Sequence, residues 1–171
     1  MGLYFDIKEV GKIQRNVCLK VKFWVFTALS LAILCFIFSQ SILSQEKSGA
    51  LSAGFVAFLK PLLDPNGAIS DEVFHHFIRK LAHFTEFSAL GFCVMGACWN
   101  LGALRSRKYI ALPLLISLIC AVSDEFLQYF TGRGSAVTDV VIDYSGSLFG
   151  LFMFFALCYL WRILVSKRKD V

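Results

Sequence analysis

The sequence predicts an all-α membrane protein: a four-transmembrane-helix bundle with an additional outer interfacial helix. Hydrophobic residues make up 57% of the chain, charged residues only 17%, and the mean hydropathy is +0.68. Soluble domains carry about a quarter charged residues. The apolar residues fall into four runs, and each run reaches the roughly 20 residues that a spanning helix needs. These runs are Lys22–Ser41, Phe84–Leu104, Tyr109–Tyr129 and Val137–Leu164.

Basic residues are more frequent on one side of the predicted membrane domain than on the other. Most of the 17 lysines and arginines lie before the first span, between the second and third, and after the fourth. Four spans place these three regions on one side of the membrane, and cytoplasmic flanks are enriched in lysine and arginine, so we expect both termini to be cytoplasmic. The predicted organisation is a basic cytoplasmic leader (1–21), a four-helix membrane domain (22–165) and a basic cytoplasmic tail (166–171). The sequence pI of about 8.9 follows from this topology, and no nucleic-acid partner is predicted.

The stretch between the first two spans predicts a helix that does not cross the membrane. Apolar residues recur at helical spacing over Leu51–Leu63, but Lys60-Pro61 interrupts the segment, which is too short to span. We expect it to lie in the outer interface with its apolar face in lipid, or to pack over the bundle. The residue types of Asp64-Pro65-Asn66-Gly67 predict a turn. Ser70 is then placed to cap a new helix that runs directly into the second span.

Three polar groups interrupt the second, third and fourth spans near the predicted outer face. The first enters span two, where Arg79, His83 and Glu86 are spaced to share one helical face. The second leaves span three, and the third begins span four with two aspartates one turn apart. In chain order, the candidate site residues are Arg79, Lys80, His83, Glu86, Asp124, Glu125, Gln128, Arg133, Asp139 and Asp143.

The concentration of charge at one depth has two interpretations. A charged side chain costs at least about 2.5 kcal/mol at mid-bilayer on insertion scales, so these groups need one another. One interpretation is a scaffold of ion pairs and hydrogen bonds that pins the helices together. The other is a polar pocket open to the outer surface. The two are compatible, and intramembrane ionisable residues favour a functional role.

Small residues carry a weaker signal. Gly146 and Gly150 have the G-x-x-x-G spacing that allows helices in membranes to approach closely. Most of the six cysteines lie inside apolar runs and none forms a C-x-x-C motif, so they are interpreted as small apolar residues. No disulfide framework is predicted.

The polar motifs together resemble one family. The chain carries Arg79-Lys80-Leu81-Ala82-His83-Phe84-Thr85-Glu86-Phe87, then Ser123-Asp124-Glu125-Phe126-Leu127-Gln128, then Gly132-Arg133, then Asp139-Val140-Val141-Ile142-Asp143, followed by Gly146 and Gly150. In this order and spacing they are similar to the VanZ-like family of bacterial membrane proteins. The segment Phe38-Ser39-Gln40-Ser41 also resembles the family's serine- and glutamine-rich stretch. One position departs from the family, because members often carry a second histidine where this chain has Leu127.

The resemblance covers nearly everything after the basic leader. It implies a protein of the bacterial plasma membrane, associated with low-level resistance to the glycopeptide teicoplanin. It also implies that the ten candidate residues above are the family's motif residues.

Two classes of function fit these observations. In the first, a non-enzymatic envelope protein binds a lipid headgroup or cell-wall precursor at the outer leaflet, or changes how a lipid-anchored glycopeptide reaches the surface. Arg79, Lys80 and Arg133 would meet phosphate while the carboxylates orient them. In the second, an intramembrane hydrolase or transferase acts on a lipid-linked substrate. His83 would then be a general acid or base, held by Glu86, Asp124 or Asp139.

The motif content favours binding over catalysis. The chain has no G-x-S-x-G nucleophile motif and no histidine-rich metal spacing. A single matched histidine with several carboxylates could hold Mg²⁺ or Mn²⁺, whereas Zn²⁺ prefers more nitrogen or sulfur ligands. The sequence therefore predicts no cofactor and no metal. The expected partners are membrane lipids and, at the outer leaflet, a lipid-linked ligand or a lipoglycopeptide.

Overall fold

A computed structural model of the chain describes residues 7–42, 45–101, 111–132 and 136–167. Five helices account for nearly all of them, and these ranges contain no strand. The helices are α1 (Ile7–Ile42), α2 (Gln45–Leu63), α3 (Asp71–Asn100), α4 (Ala111–Phe130) and α5 (Val137–Lys167). The predicted all-α fold is confirmed. The basic residues between the second and third predicted spans, Arg105–Lys108, lie outside the described residues.

Four of the five helices are long and apolar enough to cross a membrane. They are α1, α3, α4 and α5, in agreement with the four predicted spans, and the protein is a multi-pass membrane protein. The helix α2 does not meet the same criteria of length and hydropathy within the described chain. The last turn of α1 meets the last turns of α4, and the first half of α3 meets the start of α5. Successive spans therefore run in opposite directions.

Helix α3 is the centre of the bundle and contacts each of the other four helices, most extensively α5 and then α1. The contact with α5 depends on glycine. A Cβ atom added at Gly91 would overlap the backbone of Ser147, and Cβ atoms at Gly146 and Gly150 would overlap the backbone of α3. The two helices thus touch backbone to backbone, as the spacing of Gly146 and Gly150 predicts. Gly91 completes the contact from the other helix.

The N-terminal helix has no break where the leader was expected to end. The helix α1 continues from Ile7 through residue 21 into the first span without interruption. Ser39 and Ser41 occupy its last turn, and only Ser41 is fully buried. The first helix therefore delivers one polar side chain to the interior of the bundle.

The helix α2 packs against the start of α3 through a small apolar cluster. Val56 is buried against Phe74 and Ile78, while Phe58 remains 70% exposed. The predicted turn follows it: the amide of Gly67 donates to the carbonyl of Asp64 at 3.1 Å, and Gly67 has a φ of 62°. Such a φ favours glycine.

The connection to α3 differs from the prediction in one detail. Ser70 occupies the N-cap position of α3, but its side chain makes no capping hydrogen bond. Asp64 instead stabilises the turn before the helix, because its carboxylate accepts from the amides of Ala68 and Ile69 at 2.9 Å each. The predicted continuity is confirmed, because α3 runs from the turn through the second span as one helix.

Large apolar side chains cover the outside of the bundle. Phe152, Trp161 and Tyr159 are each about two-thirds exposed, and in water such surface would drive aggregation. Trp24 lies near the start of the first predicted span, and the other two tryptophans lie near the ends of α3 and α5, so the three share one end of the bundle. Tryptophan is enriched at membrane interfaces, and this end fits that position.

Candidate functional site

Polar side chains from all four spanning helices meet at the other end of the bundle, which we call the polar end. Four of them form its buried centre: Ser41 of α1, His83 of α3, Asp124 of α4 and Asp143 of α5. Each helix exposes its apolar surface elsewhere and turns one or more polar groups inward at this depth. The shared depth follows from topology, since each of these residues lies toward the same end of its span.

Asp124 is the most enclosed member of this centre. Its side chain is fully buried, and both carboxylate oxygens accept a hydrogen bond. The Ser41 hydroxyl donates to Oδ1 at 2.6 Å, and the Gln128 amide donates to Oδ2 at 2.7 Å. Two donors at short distance hold the carboxylate in one orientation. Thr131 supports the same corner by donating to the backbone carbonyl of Ser41 at 3.1 Å.

His83 lies between two carboxylates on different helices. Its Nδ1 atom is 3.8 Å from Asp124 Oδ2 and 3.7 Å from Asp143 Oδ1. Both distances exceed the 2.7–3.2 Å of a direct hydrogen bond. The three side chains can nevertheless offer one ligand atom each within 4.8 Å of one another. This histidine-centred trio is the part of the site that can do acid–base or coordination chemistry.

Asp143 has an unsatisfied oxygen. The side chain is 2% exposed, and Oδ2 has no hydrogen-bond partner among the described residues. It also lies within electrostatic range of four other carboxylates: Asp124, Glu125, Asp139 and Glu86. A buried polar atom without a partner costs free energy, and neighbouring like charges add to that cost.

Two cations lie at the entrance to this acidic centre. Lys80 forms an ion pair with Asp139, with 2.8 Å between Nζ and Oδ1. Arg79 is partly buried, and no acceptor among the described residues pairs with its guanidinium group. On the far side of the entrance, the Glu125 carboxylate accepts from the backbone amide of Ala136 at 3.2 Å, just before α5.

A narrow pocket connects these groups. Its volume is about 10 Å³, close to the space that a single water molecule needs. The side chains around it are almost all polar. The lining residues are Arg79, Lys80, His83, Glu125, Gln128, Asp139, Ile142 and Asp143.

The sequence was also compared with models of known protein families. The model of the VanZ/LLP1 family matches residues 23–162, which is most of the chain. The chain belongs to the VanZ/LLP1 family. Neither the curated proteins nor the solved structures that were compared contain a match.

The structure brings nine of the ten predicted site residues of this VanZ/LLP1 chain to the polar end. Seven line the pocket, Asp124 lies behind His83, and Glu86 lies one turn further along α3, within electrostatic range of Asp124. Arg133 lies outside the described residues. The predicted shared face of Arg79, His83 and Glu86 follows from the continuity of α3.

Sequence reasoning missed two polar groups that hold the VanZ/LLP1 site together. Ser41 is fully buried and donates to Asp124, and Thr131 donates to the end of α1. The signal for Ser41 was present in the segment Phe38-Ser39-Gln40-Ser41. Nothing in the spacing of that segment showed which of its polar residues faces the bundle.

Proposed function

We propose that this VanZ/LLP1 chain is an envelope protein whose polar end faces outward and binds the phosphate of a lipid headgroup or lipid-linked cell-wall precursor. The observation that carries the proposal is Arg79, a partly buried guanidinium group at the pocket entrance with no acceptor among the described residues. Arginine presents a planar fork of donors that matches phosphate. Lys80 lies next to it and adds positive charge.

The pocket volume supports contact with a headgroup at the entrance. About 10 Å³ cannot enclose a phosphate diester with its substituents, so the ligand would remain in the leaflet and offer its phosphate to Arg79. Exposed apolar side chains on α2, such as Phe58 and Leu62, would lie beside its acyl chains. The proposed ligand is therefore amphiphilic.

The outward direction rests on the distribution of basic residues. Arg162 and the described end of α5 lie at the end opposite the polar end, and the basic flanks of the first span lie there too. Cytoplasmic flanks are enriched in lysine and arginine. Both termini are thus proposed to be cytoplasmic.

Cysteine labelling tests this orientation. In a background without the six native cysteines, Asn66→Cys in the exposed turn after α2 should react on intact cells with a membrane-impermeant maleimide. Ser166→Cys, exposed at the end of α5, should react only after the cells are permeabilised. The opposite pattern would place the polar end in the cytoplasm and contradict the proposal.

A bound headgroup also connects the site to glycopeptide action. Teicoplanin carries a lipid anchor and acts at the outer surface, where it meets lipid-linked precursors. A protein that occupies such precursors, or orders the lipid around them, would lower the effective access of the drug. We therefore extend the proposal to reduced susceptibility to teicoplanin.

Substitution of Arg79 tests the proposed ligand chemistry. Native mass spectrometry of the purified protein should show retained phosphatidylglycerol or undecaprenyl diphosphate, and little retained diacylglycerol, which lacks phosphate. Arg79→Ala should weaken retention by about tenfold or more, since a hydrogen bond to a charged group contributes about 1.5–3 kcal/mol. It should also remove any increase in the teicoplanin inhibitory concentration that wild-type expression gives in a susceptible strain.

Arg162→Ala is the matched control for this experiment. Arg162 lies at the opposite end of the bundle, 6.0 Å from the ring of Trp99, and its loss should leave headgroup retention unchanged. Equal retention by wild type and Arg79→Ala, at equal protein levels, would remove Arg79 from the proposed site.

The position of His83 supports a second candidate function. An imidazole between Asp124 and Asp143 has the surroundings of a general acid or base, as a hydrolase or transferase on a lipid-linked substrate requires. The two candidates differ in one readout: an enzyme converts undecaprenyl diphosphate or phospholipid to product, whereas a binding protein releases it unchanged.

A further inference from the structure

We propose that His83, Asp124 and Asp143 form a binding site for one divalent cation, with Mn²⁺ the ion that the ligand set fits best. The three side chains come from three different helices and converge below the pocket entrance. The site rests on these contacts and is independent of the headgroup proposed above.

The distances fit a shared ion better than direct pairing. His83 Nδ1 lies 3.8 Å from Asp124 Oδ2 and 3.7 Å from Asp143 Oδ1. Two ligand atoms around an ion at about 2.0–2.2 Å can be up to about 4.2 Å apart. Both separations lie inside that limit and outside the range of a direct hydrogen bond.

Asp143 gives an independent sign of a missing partner. Its side chain is almost fully buried, and Oδ2 accepts no hydrogen bond from the described protein. Buried carboxylate oxygens in native proteins are normally satisfied. A cation bound to the Asp143 carboxylate would supply the interaction that the protein does not.

The groups behind Asp124 resemble the outer shell of a metal site. Ser41 and Gln128 each donate to one oxygen of Asp124, which holds the carboxylate with Oδ2 toward His83. Hydrogen bonds of this kind orient metal ligands and tune their basicity. Ser41 and Gln128 would then be positioning residues, without direct contact to the ion.

The charge balance points in the same direction. Asp143 and the four carboxylates within electrostatic range of it make a group of five, whereas the described cations lining the pocket are Arg79 and Lys80. Buried charge of one sign is costly unless it is offset. A divalent cation offsets two of these charges. It would also reduce the repulsion that the carboxylates exert on a phosphate approaching Arg79.

The ligand types select among cations. One imidazole nitrogen with two carboxylates is a mixed set, since carboxylate suits Mg²⁺, Ca²⁺ and Mn²⁺ while imidazole suits transition metals. Mn²⁺ accepts both types. The adjoining pocket of about 10 Å³ leaves space for a water molecule as a further ligand.

Metal binding can be measured on the purified full-length protein without any lipid ligand. After removal of metal with a chelator, Mn²⁺ titration followed by the electron paramagnetic resonance of the free ion should show saturation at one ion per chain. Pulsed measurements on the bound ion should show coupling to a ¹⁴N nucleus, the signature of a coordinated imidazole. His83→Gln should abolish this coupling, and His83→Gln and Asp143→Asn should each weaken binding by at least about tenfold.

Glu72→Gln is the matched control, because Glu72 is an exposed carboxylate on the same helix, outside the pocket. Its loss should leave the titration unchanged. Absence of saturable binding in the wild-type protein, absence of ¹⁴N coupling, or equal binding by wild type and Asp143→Asn would each overturn the site. The pulsed measurement on wild-type protein keeps the test decisive even where a variant does not fold. Headgroup retention with no Mn²⁺ binding would overturn the cation site alone.

Discussion

Gly150→Ala is expected to separate α3 from α5 and to cost the protein at least about 2–3 kcal/mol of folding free energy. The added Cβ would overlap the Ser88 carbonyl and the backbone of Phe92. A backbone atom in a helix cannot rotate away as a side chain can, so the helices must move apart along their whole contact. Overpacking of a filled interior costs about 1–3 kcal/mol even where side chains can adjust. The measurement is thermal unfolding of the purified protein in detergent.

Two other glycines calibrate this experiment. Gly54→Ala on α2 meets nothing within 4 Å, and alanine is the better helix former by about 1 kcal/mol, so this variant should be as stable as wild type or slightly more so. Gly96→Ala meets only the ring of Phe26 at its nearest atoms and should fall between the two. A Gly150→Ala protein that melts together with Gly54→Ala would show that the α3–α5 contact is less tight than described.

Asp124→Leu is the second substitution with a large expected effect. Leucine removes the acceptor for both Ser41 and Gln128, and each buried donor left without a partner costs about 1–3 kcal/mol. We expect a loss of about 2–4 kcal/mol, visible as a lower melting temperature in detergent and as lower abundance in cells.

Asp124→Asn separates the structural role of this residue from its charge. The amide is similar in size, its oxygen can still accept from Gln128, and the Ser41 hydroxyl can rotate to accept from the new amide nitrogen. The variant should therefore keep most of the stability that Asp124→Leu loses, while its Mn²⁺ affinity falls because a carboxylate ligand is gone. If both variants were equally unstable, the negative charge itself would be needed for folding.

The number of spans could be predicted from the sequence more completely than the arrangement of the site. The number of spans follows from runs of apolar residues, which reflect the thickness of the bilayer and need no knowledge of partners. The gathering of His83, Asp124 and Asp143 was also predictable, because topology brings their depths together. Which of them face each other was not, since the rotation of each helix about its axis depends on packing.

Packing explains the particular misses. Gly91 is not in a G-x-x-x-G pair, and its role appears only when Ser147 is seen against it. Ser41 looked like one of several polar residues at the end of a span. The proposed cation ligands could not be assigned for a related reason: a single histidine has no metal-binding spacing in the sequence, and its two carboxylate neighbours lie 41 and 60 residues further along the chain.

Because the helices are synthesised in chain order, the polar end can be completed only after the last helix has been made. Lys80 leaves the ribosome with α3, whereas its partner Asp139 comes only with α5, and α5 also brings the backbone surface against which Gly91 packs. Until then Lys80 lacks its carboxylate partner from the last helix, and unpaired charge at membrane depth is costly. We therefore expect the first three spans to pack stably only after the fourth has been inserted. A chain terminated before Val137 would be a substrate for membrane proteases, and not a smaller version of the same protein.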